Sequence, residues 1–182
     1  MRATPTHKIR AAAPADLHGI LSIAAASPEA PQWQPADYPP YLTSDPSTPA
    51  LLRTAIVALS QADSPGELLG FAAATLLLVS DSAGEQNLCQ LDSMAVLPAA
   101  RRLGLGSALV REILSWASKN GSRHLTLEVR ASNTPAIRLY QSCGLLLQGR
   151  RTRYYSHPEE DALLLGMAVT SAPPGVVFPP EK

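Results

Sequence analysis

Residues 91–109 read LDSMAVLPAARRLGLGSAL, and this segment is the most informative part of the sequence about the fold. An apolar run that ends at Val96 predicts a strand, and apolar residues at helical spacing from Leu105 through Leu109 and Ile113 predict a helix. Gly104 and Gly106 stand at the start of that helix. The sequence therefore predicts a strand, a glycine-containing turn and a helix in direct succession.

The start of this helix is a candidate phosphate site. The first backbone N–H groups of a helix have no partner within the helix and point toward one place, where they can bind an anion. Arg101 and Arg102 add positive charge. A Gly-x-Gly pair also begins many helices for steric reasons alone, so the glycines are weak evidence by themselves. Leu109 replaces the third glycine of a dinucleotide fingerprint, and Ser107 follows Gly106 with no P-loop lysine, which disfavours both of those nucleotide sites.

A second strand and helix follow this segment. Residues 125–129 form an apolar run that contains one carboxylate, Glu128. Asn133-Thr134-Pro135 is typical of a capped helix start, and Cys143-Gly144 ends the pattern. Helices between strands favour a parallel pairing. Glu128 is either paired with a cation such as Arg130 on an exposed face or poised at the end of an inner strand, where ligands enter α/β sheets.

The flanking residues predict more strands. A strand at 7–13 and a helix from Pro14 precede a proline-rich loop at 27–49, which either covers the core edge or forms a wall of a binding cleft. An antiparallel meander of three strands is expected at 52–59, 69–79 and 87–96. The last two strands are expected at 145–148 and 163–169, and residues 150–158 are expected to connect them. The whole predicts one mixed α/β domain over 1–169 and a loose proline-rich tail at 170–182.

Composition excludes several classes of protein. The 182 residues suit one domain, and 15 basic residues balance 15 acidic ones, so no overall charge attracts nucleic acid or an anionic membrane. No run approaches the roughly 20 apolar residues that span a bilayer. Cys89 and Cys143 match no metal spacing and no disulfide framework. We expect a cytoplasmic protein without a metal site, as a monomer or homodimer.

Together these motifs resemble one family. Arg101-x-x-Gly104-x-Gly106 after a strand, then residues 127–133 (LEVRASN) and 136–140 (AIRLY), closely resemble the GNAT N-acetyltransferases, and within them the RimI type, which acetylates the amino terminus of a ribosomal protein. The resemblance is strong over 91–169 and weaker before it. It implies the GNAT acyl-CoA N-acyltransferase fold, a central mixed sheet of about six to seven strands flanked by helices.

The resemblance also implies acetyl-CoA as the cosubstrate. In the family, backbone N–H groups of the glycine loop bind the pyrophosphate, and a splayed strand pairs with the pantetheine arm. An asparagine contacts the thiol end, although Asn133 can equally be a helix cap. The residues assigned in this way are Met94, Ala95, Val96, Arg101, Arg102, Leu103, Gly104, Leu105, Gly106, Ser107 and Asn133.

Two catalytic residues follow from the same resemblance. The family pattern makes Glu128 the general base and Tyr140 the general acid. An α-amine with a pKa of about 8 needs only a modest base, and a tyrosine with a pKa of about 10 can protonate a leaving thiolate. We expect direct attack on the thioester. Cys143 is an alternative nucleophile, but no histidine is spaced to activate it.

The acceptor is predicted from aromatic residues. Related enzymes place tyrosines of the run before the last strand in a peptide cleft, which assigns Tyr154 and Tyr155, and the long loop contributes Trp33 and Tyr38. All four can also be ordinary packing residues. The long loop and Leu145, where the family usually has phenylalanine, depart from the pattern. A protein N-terminus is the expected acceptor; the alternatives are a small-molecule amine or lysine side chain, and a catalytically silent acyl-CoA binding module.

Overall fold

The computed structural model describes residues 7–31, 33–43, 47–48, 50–60, 66–81, 84–85 and 87–169, with the side chains at 80–81 and 84–85 excepted. The expected tail at 170–182 lies outside these residues. Within them, no helix is both long enough and apolar enough to cross a membrane.

The described residues of the amino-terminal half form six strands and two helices. Single 3₁₀ turns at Pro14–Asp16 and Pro35–Asp37 precede the two helices, and a third, Pro98–Ala100, follows the sixth strand. The elements are β1 (His7–Ala11), α1 (Leu17–Ala25), α2 (Pro39–Leu42), β2 (Leu51–Ser60), β3 (Leu68–Leu77), β4 (Ser80–Asp81), β5 (Gly84–Glu85) and β6 (Asn87–Val96). Strands β2, β3 and β6 form the predicted antiparallel meander.

The carboxyl-terminal half follows the predicted helix and strand order. Its elements are α3 (Leu105–Lys119), β7 (Ser122–Arg130), α4 (Thr134–Ser142), β8 (Leu146–Ser156) and β9 (Glu159–Ala168). Helix α3 ends where Gly121 adopts a φ of 75°, a conformation that favours glycine. One prediction is wrong here: residues 150–156 continue β8, because their backbone pairs with β9, and the connection between the strands is short.

Within the described residues, seven strands form one mixed sheet in the order β1-β2-β3-β6-β7-β9-β8, which confirms the predicted fold class. Among these strands only β6 and β7 pair in parallel, and their pairing runs from Asn87 with Ser122 to Leu91 with Leu127. Beyond Leu91, β6 continues against β3, whereas β7 continues against β9. The two strands therefore part at Asp92 and Glu128, and the sheet opens at this point.

Helices cover both faces of the sheet. The stripe of α3 that includes Leu105, Leu109 and Ile113 packs with β7 and Tyr140 of α4 in one apolar cluster. The other face is covered by α1 and the segment from Ala30 to Leu42, which pack on Phe71. Because β6 and β7 lie inside the sheet, the opening between them lies between the layers of helices that cover its two faces.

Candidate active site

A cleft of about 1040 Å³ lies where β6 and β7 part. It runs from the amino-terminal end of α3 to the tyrosines of β8. Its lining includes most of the predicted site residues: Met94, Ala95, Val96, Arg101, Arg102, Gly104, Gly106, Ser107, Glu128, Asn133, Tyr140, Tyr154 and Tyr155. The fold therefore brings into one cavity the residues that the sequence assigned to cosubstrate, chemistry and acceptor.

The mouth of α3 offers backbone donors to the cleft. The first hydrogen bond at this end joins the N–H of Ala108 to the carbonyl of Gly104, at 3.0 Å, so the N–H groups of residues 105–107 precede the helical ladder. No side chain of a described residue caps this end. Gly104 has a φ of 81°, which an L side chain adopts only with strain. The local backbone thus leaves a group of donors that suits a diphosphate.

Gly106 has a second reason to be glycine. A Cβ atom there would lie 2.8 Å from a methyl carbon of Leu139, so the missing side chain allows α4 to pack against α3. Close approach of a phosphate is thus not the only explanation for this glycine. Leu105 packs in the core and Leu103 is 46% exposed, so neither side chain lines the cleft, and their predicted contribution is limited to backbone groups.

We call residues 101–107, at the start of α3, the cradle. Arg101 connects the cradle to Glu29 in the segment that follows α1. Its guanidinium forms an ion pair with Glu29 and donates to the carbonyl of Val96, at 3.1 Å. Arg102 is exposed and adopts a φ of 62°. Both residues line the cleft near the start of α3. Of the two, Arg101 is the one that forms an ion pair with a described residue.

The edge of β6 faces the cleft as predicted for a splayed strand. Met94 pairs with Ala72 and Val96 with Gly70 on the β3 side. On the β7 side, the pairing of β6 stops at Leu91 within the described residues. Residues 94–96 therefore present an edge beside which an extended pantetheine arm can lie.

Glu128 lies in a dense polar environment. Its side chain is only 11% exposed, and one carboxylate oxygen lies 3.2 Å from the guanidinium of Arg151. The other oxygen accepts from the hydroxyl of Tyr154 at 3.1 Å and from the amide of Gln90 at 3.4 Å. Glu128 therefore does not pair with Arg130, whose partner is Glu160 at 3.2 Å. The carboxylate is fixed at the point where the strands part.

Tyr140 reaches the cleft from α4 and is 8% exposed. Burial raises the pKa of its phenol far above the ordinary value, and neighbouring Tyr155 and Cys143 add to the shift. The hydroxyl therefore stays protonated across the working range of pH. Cys143 is half-buried against the core and lies outside the cleft lining.

An irregularity in β8 sets the orientation of its two tyrosines, Tyr154 and Tyr155. Pairing with β9 shifts register between Arg151 and Tyr155, and Arg153 at the shift has a φ of 52°. Asp161 fixes this shape by accepting from the backbone N–H of Arg153 at 2.9 Å. Tyr154 and Tyr155 then pack edge to face, with ring centroids 5.1 Å apart, and both line the cleft.

Three of the predicted site residues, Asn133, Trp33 and Tyr38, have capping or packing contacts. The side chain of Asn133 accepts from the N–H of Ala136 at 3.2 Å, so it caps α4, and it also lines the cleft. Trp33 and Tyr38 do not line the cleft. Tyr38 is 1% exposed and packs on Phe71, while Trp33 stacks beside it. The described part of the long loop therefore takes both positions that the sequence left open: Tyr38 covers the core edge, and Ser27, Glu29, Ala30 and Pro31 line the cleft.

Asp92 is a site residue that the sequence interpretation missed. It lines the cleft and accepts from the hydroxyl of Tyr41 at 3.1 Å. Burial raises the pKa of its carboxyl group, and Glu128 raises it further. The available signal was a lone carboxylate in an apolar strand, directly before the glycine loop. The same signal drew attention to Glu128 in the following strand, and the family resemblance then implied its role.

The chain belongs to the acetyltransferase (GNAT) family, whose model matches residues 18–145. Among its relatives are a putative ribosomal protein bS18-alanine N-acetyltransferase of Bacillus subtilis, 36% identical over 80 residues, and the Escherichia coli enzyme of that name, 39% identical over 82. Each match covers 44% of this chain, and it covers 53% and 55% of those relatives. Streptothricin acetyltransferase of Streptomyces lavendulae is 36% identical over 105 residues, which are 56% of this chain and 52% of that protein. The chain thus spans about half the length of the curated relatives it matches.

Solved structures extend the likeness over nearly the whole chain. The ribosomal-protein-alanine N-acetyltransferase from Escherichia coli superposes with a TM-score of 0.67 and 25% identity, covering 95% of this chain and 100% of that one. Arabidopsis thaliana NAA60, solved with acetyl-CoA, has a TM-score of 0.76, 23% identity, and coverage of 90% and 99%. The second likeness supports the fold alone.

Proposed function

We propose that this protein is an acetyl-CoA-dependent N-acetyltransferase that acetylates the N-terminal α-amine of a protein such as a ribosomal protein. One observation carries the proposal: a single cleft joins the uncapped mouth of α3 to Glu128 across the opening between β6 and β7. The partial matches to ribosomal protein bS18-alanine N-acetyltransferases support this choice of acceptor. Such an acceptor is made in the cytoplasm, where we expect the enzyme to act.

Different residues of the cleft would bind the cosubstrate and carry out the acetyl transfer. The N–H groups of residues 105–107 would hold the diphosphate, the edge at 94–96 the pantetheine arm, and acetyl-CoA would supply the acetyl group. Glu128 takes a proton from the acceptor nitrogen, which forms its bond to the acetyl carbon as the carbon–sulfur bond breaks. Tyr140 donates a hydrogen bond to the departing sulfur. The step needs no acyl-enzyme, in keeping with the position of Cys143 outside the cleft lining.

Amine basicity favours an α-amine over a lysine side chain. An α-amine with a pKa of about 8 is roughly one-tenth neutral at pH 7, whereas a lysine with a pKa of about 10.4 is less than about one part in a thousand neutral. A carboxylate such as Glu128, which contacts Arg151 and Tyr154, is a modest base, and a modest base suffices for the α-amine.

The second candidate function is acetylation of a small-molecule amine. The match to streptothricin acetyltransferase over 105 residues favours it. The two candidates share cradle and base and differ only in the acceptor. A catalytically silent acyl-CoA binding module is the third reading, and it is disfavoured because both Glu128 and Tyr140 line the cleft.

Acetylation of peptides tests the proposal directly. Purified protein is mixed with acetyl-CoA and synthetic peptides that begin with different residues and contain one internal lysine, and released thiol is measured. We expect turnover, and fragmentation spectra should place the acetyl group on the α-amine. Acetyl groups only on lysine, or turnover only with small amines such as streptothricin, would transfer support to the second candidate. Binding of acetyl-CoA without turnover of any amine would favour the silent module.

A charge placed at the mouth of α3 tests the cradle. Ser107 lines the cleft in the first turn of α3, where an acidic side chain favours the helix through its dipole. Ser107→Asp should nevertheless weaken acetyl-CoA binding by about tenfold or more, because the carboxylate would face the diphosphate across a few ångströms.

Ser107→Asn is the matched control for Ser107→Asp, since the asparagine side chain has the shape of aspartate and no charge. We expect it to retain nearly normal affinity in calorimetric titration, and thermal unfolding should show that Ser107→Asp is at least as stable as the original protein. Equal affinity of both variants for acetyl-CoA would remove the helix mouth from the binding site.

A further inference from the structure

Charged side chains are unevenly distributed along the cleft. Arg101, Arg102 and Arg138 line it on the side of α3 and α4, where phosphates are expected, and Glu29 pairs there with Arg101. Two carboxylates, Asp92 and Glu128, line it where β6 and β7 part, and Arg130 in the same lining is already paired with Glu160. Arginines therefore predominate at one end of the cleft and carboxylates at the other. Acetyl transfer as described above uses only one of the two carboxylates.

Asp92 is held in a defined position. It is the additional residue at a register shift between β6 and β3, since Ser93 pairs with Ala73 and Leu91 with Ala74. Such a bulge re-aims the side chain of the additional residue. The hydroxyl of Tyr41 donates to one carboxylate oxygen at 3.1 Å, and Thr75 donates to the oxygen of Tyr41 at 3.3 Å. This chain of hydroxyls fixes Asp92 from the side of β3 and α2.

Asp92 differs from the other partly buried carboxylates in its charge partners. Glu128 pairs with Arg151, Glu160 with Arg130 and Asp16 with Arg10, each within 3.2 Å. Among the described residues, no lysine or arginine forms such an ion pair with Asp92. The charged groups that act on it are Arg53 on β2, whose guanidinium lies 5.8 Å from the ring centre of Tyr41, and Glu128 on β7. Asp92 is thus a fixed carboxylate, facing the cleft, that lacks a close cation.

We propose that Asp92 binds the amino group of the acceptor and is a specificity-determining residue for cationic primary amines. This assignment rests on the proposed acetyltransferase function. The acceptor enters as an ammonium ion and donates one N–H to Asp92 and another to Glu128. Glu128 removes the proton that faces it, while Asp92 keeps its hydrogen bond and directs the freed lone pair toward the acetyl carbon. As the carbon–nitrogen bond forms and the carbon–sulfur bond breaks, the nitrogen loses a second proton to the departing sulfur, and coenzyme A leaves as the thiol. The approaching ammonium supplies the close cation that Asp92 lacks in the described structure.

Asp92→Asn tests this assignment because it removes the charge and keeps the shape. The probes are alaninamide and the peptide Ala-Gly-Gly-Ser-Gly-Gly amide, which carries no charge other than that of its amino terminus. We expect each to bind the complex of the variant with coenzyme A about tenfold more weakly, since hydrogen bonds to charged groups are the strong ones. The KM for the peptide should rise by the same factor, while kcat changes less than about threefold and the KM for acetyl-CoA stays constant.

Two further variants sharpen the test. Asp37→Asn alters an exposed carboxylate outside the cleft lining and should change none of these constants. Tyr41→Phe removes the donor that fixes Asp92 but leaves its charge, so we expect a smaller rise in the KM for the peptide, of about threefold.

Stability separates a binding role from a structural one. Burial raises the pKa of Asp92, so its ionisation costs folding stability as the pH rises through that pKa. Asp92→Asn should therefore be at least as stable as the original protein at pH 7, and its advantage should shrink in acid. Thermal unfolding at pH 4 and pH 7 measures both values. Lower stability of the variant at pH 7 with unchanged probe binding would make Asp92 a structural residue and overturn the assignment.

The remaining outcomes are also decisive. A collapse of kcat in Asp92→Asn with a displaced pH–rate profile would make Asp92 the base and overturn the assignment. If the original protein binds and acetylates the probes but Asp92→Asn binds them equally well, only the role of Asp92 is wrong. If the original protein binds neither probe, the proposed function fails together with it.

Discussion

Replacement of Glu128 by glutamine should lower kcat by about 10²- to 10³-fold, a loss in the range expected for removal of a general base. Glutamine retains the volume of the side chain and an oxygen that can accept from Tyr154. The substitution removes only the ability to take a proton and the charge that faces Arg151. Steady-state kinetics with a peptide acceptor measure the effect.

The dependence of this loss on pH identifies its cause. Without a base, the reaction depends on acceptor that is already neutral, and this fraction falls tenfold for each pH unit below a pKa of about 8. The activity of Glu128→Gln relative to the original protein should therefore fall as the pH decreases from 8 to 6. A variant with the original pH–rate profile would remove Glu128 from the mechanism.

Glu159→Gln provides the control for Glu128→Gln. Glu159 is also a glutamate beside an arginine, 3.2 Å from Arg153, but its side chain is 66% exposed and lies outside the cleft lining. We expect normal kinetics from it. Calorimetric affinity for acetyl-CoA should be unchanged in both variants, which would separate a loss of chemistry from a loss of cosubstrate binding.

The order of strands and helices was predictable because local patterns specify it. The periodicity of 105–119, the glycines at its ends and the Asn-Thr-Pro sequence before α4 act within a few residues. The parallel pairing of β6 and β7 follows because a helix connects them. Short-range physical chemistry and the resemblance together were therefore sufficient for the fold, and for the position of the cradle and of Glu128.

Long-range contacts account for what the sequence did not reveal. Residues 150–156 are polar and rich in arginine, yet they extend β8. Polar side chains are tolerated there because the outer edge of β8 has no strand partner within the described sheet and is exposed. Tyr38 appeared to be a cleft residue, but Phe71, which is distant in sequence, provides its packing surface. The role of Asp92 depends on Tyr41 and on a bulge, and neither is visible in its own strand.

The phenol of Tyr140 is a better hydrogen-bond donor than a complete proton donor. Burial raises its pKa well above 10, whereas a thiol has a pKa of about 8.5, so full transfer to the departing sulfur is uphill. A donor that stays protonated still stabilises negative charge on sulfur in a site that excludes water. Because the pKa is raised, ionisation of Tyr140 should cause no loss of rate as the pH rises to 10.

Tyr140→Phe should lower kcat by about 10²-fold, in the range found when one such donor is removed, with a similar fall in kcat/KM and unchanged affinity for acetyl-CoA. Tyr38→Phe is the matched control, because Tyr38 is also buried and its hydroxyl has no hydrogen-bond partner among the described residues. That control should keep full activity and equal or greater stability, since it removes an unsatisfied polar group. Circular dichroism during heating and peptide kinetics on both variants make the comparison. Equal activity of the two variants would show that the sulfur leaves without help from Tyr140, and the acid would have to be sought elsewhere in the cleft.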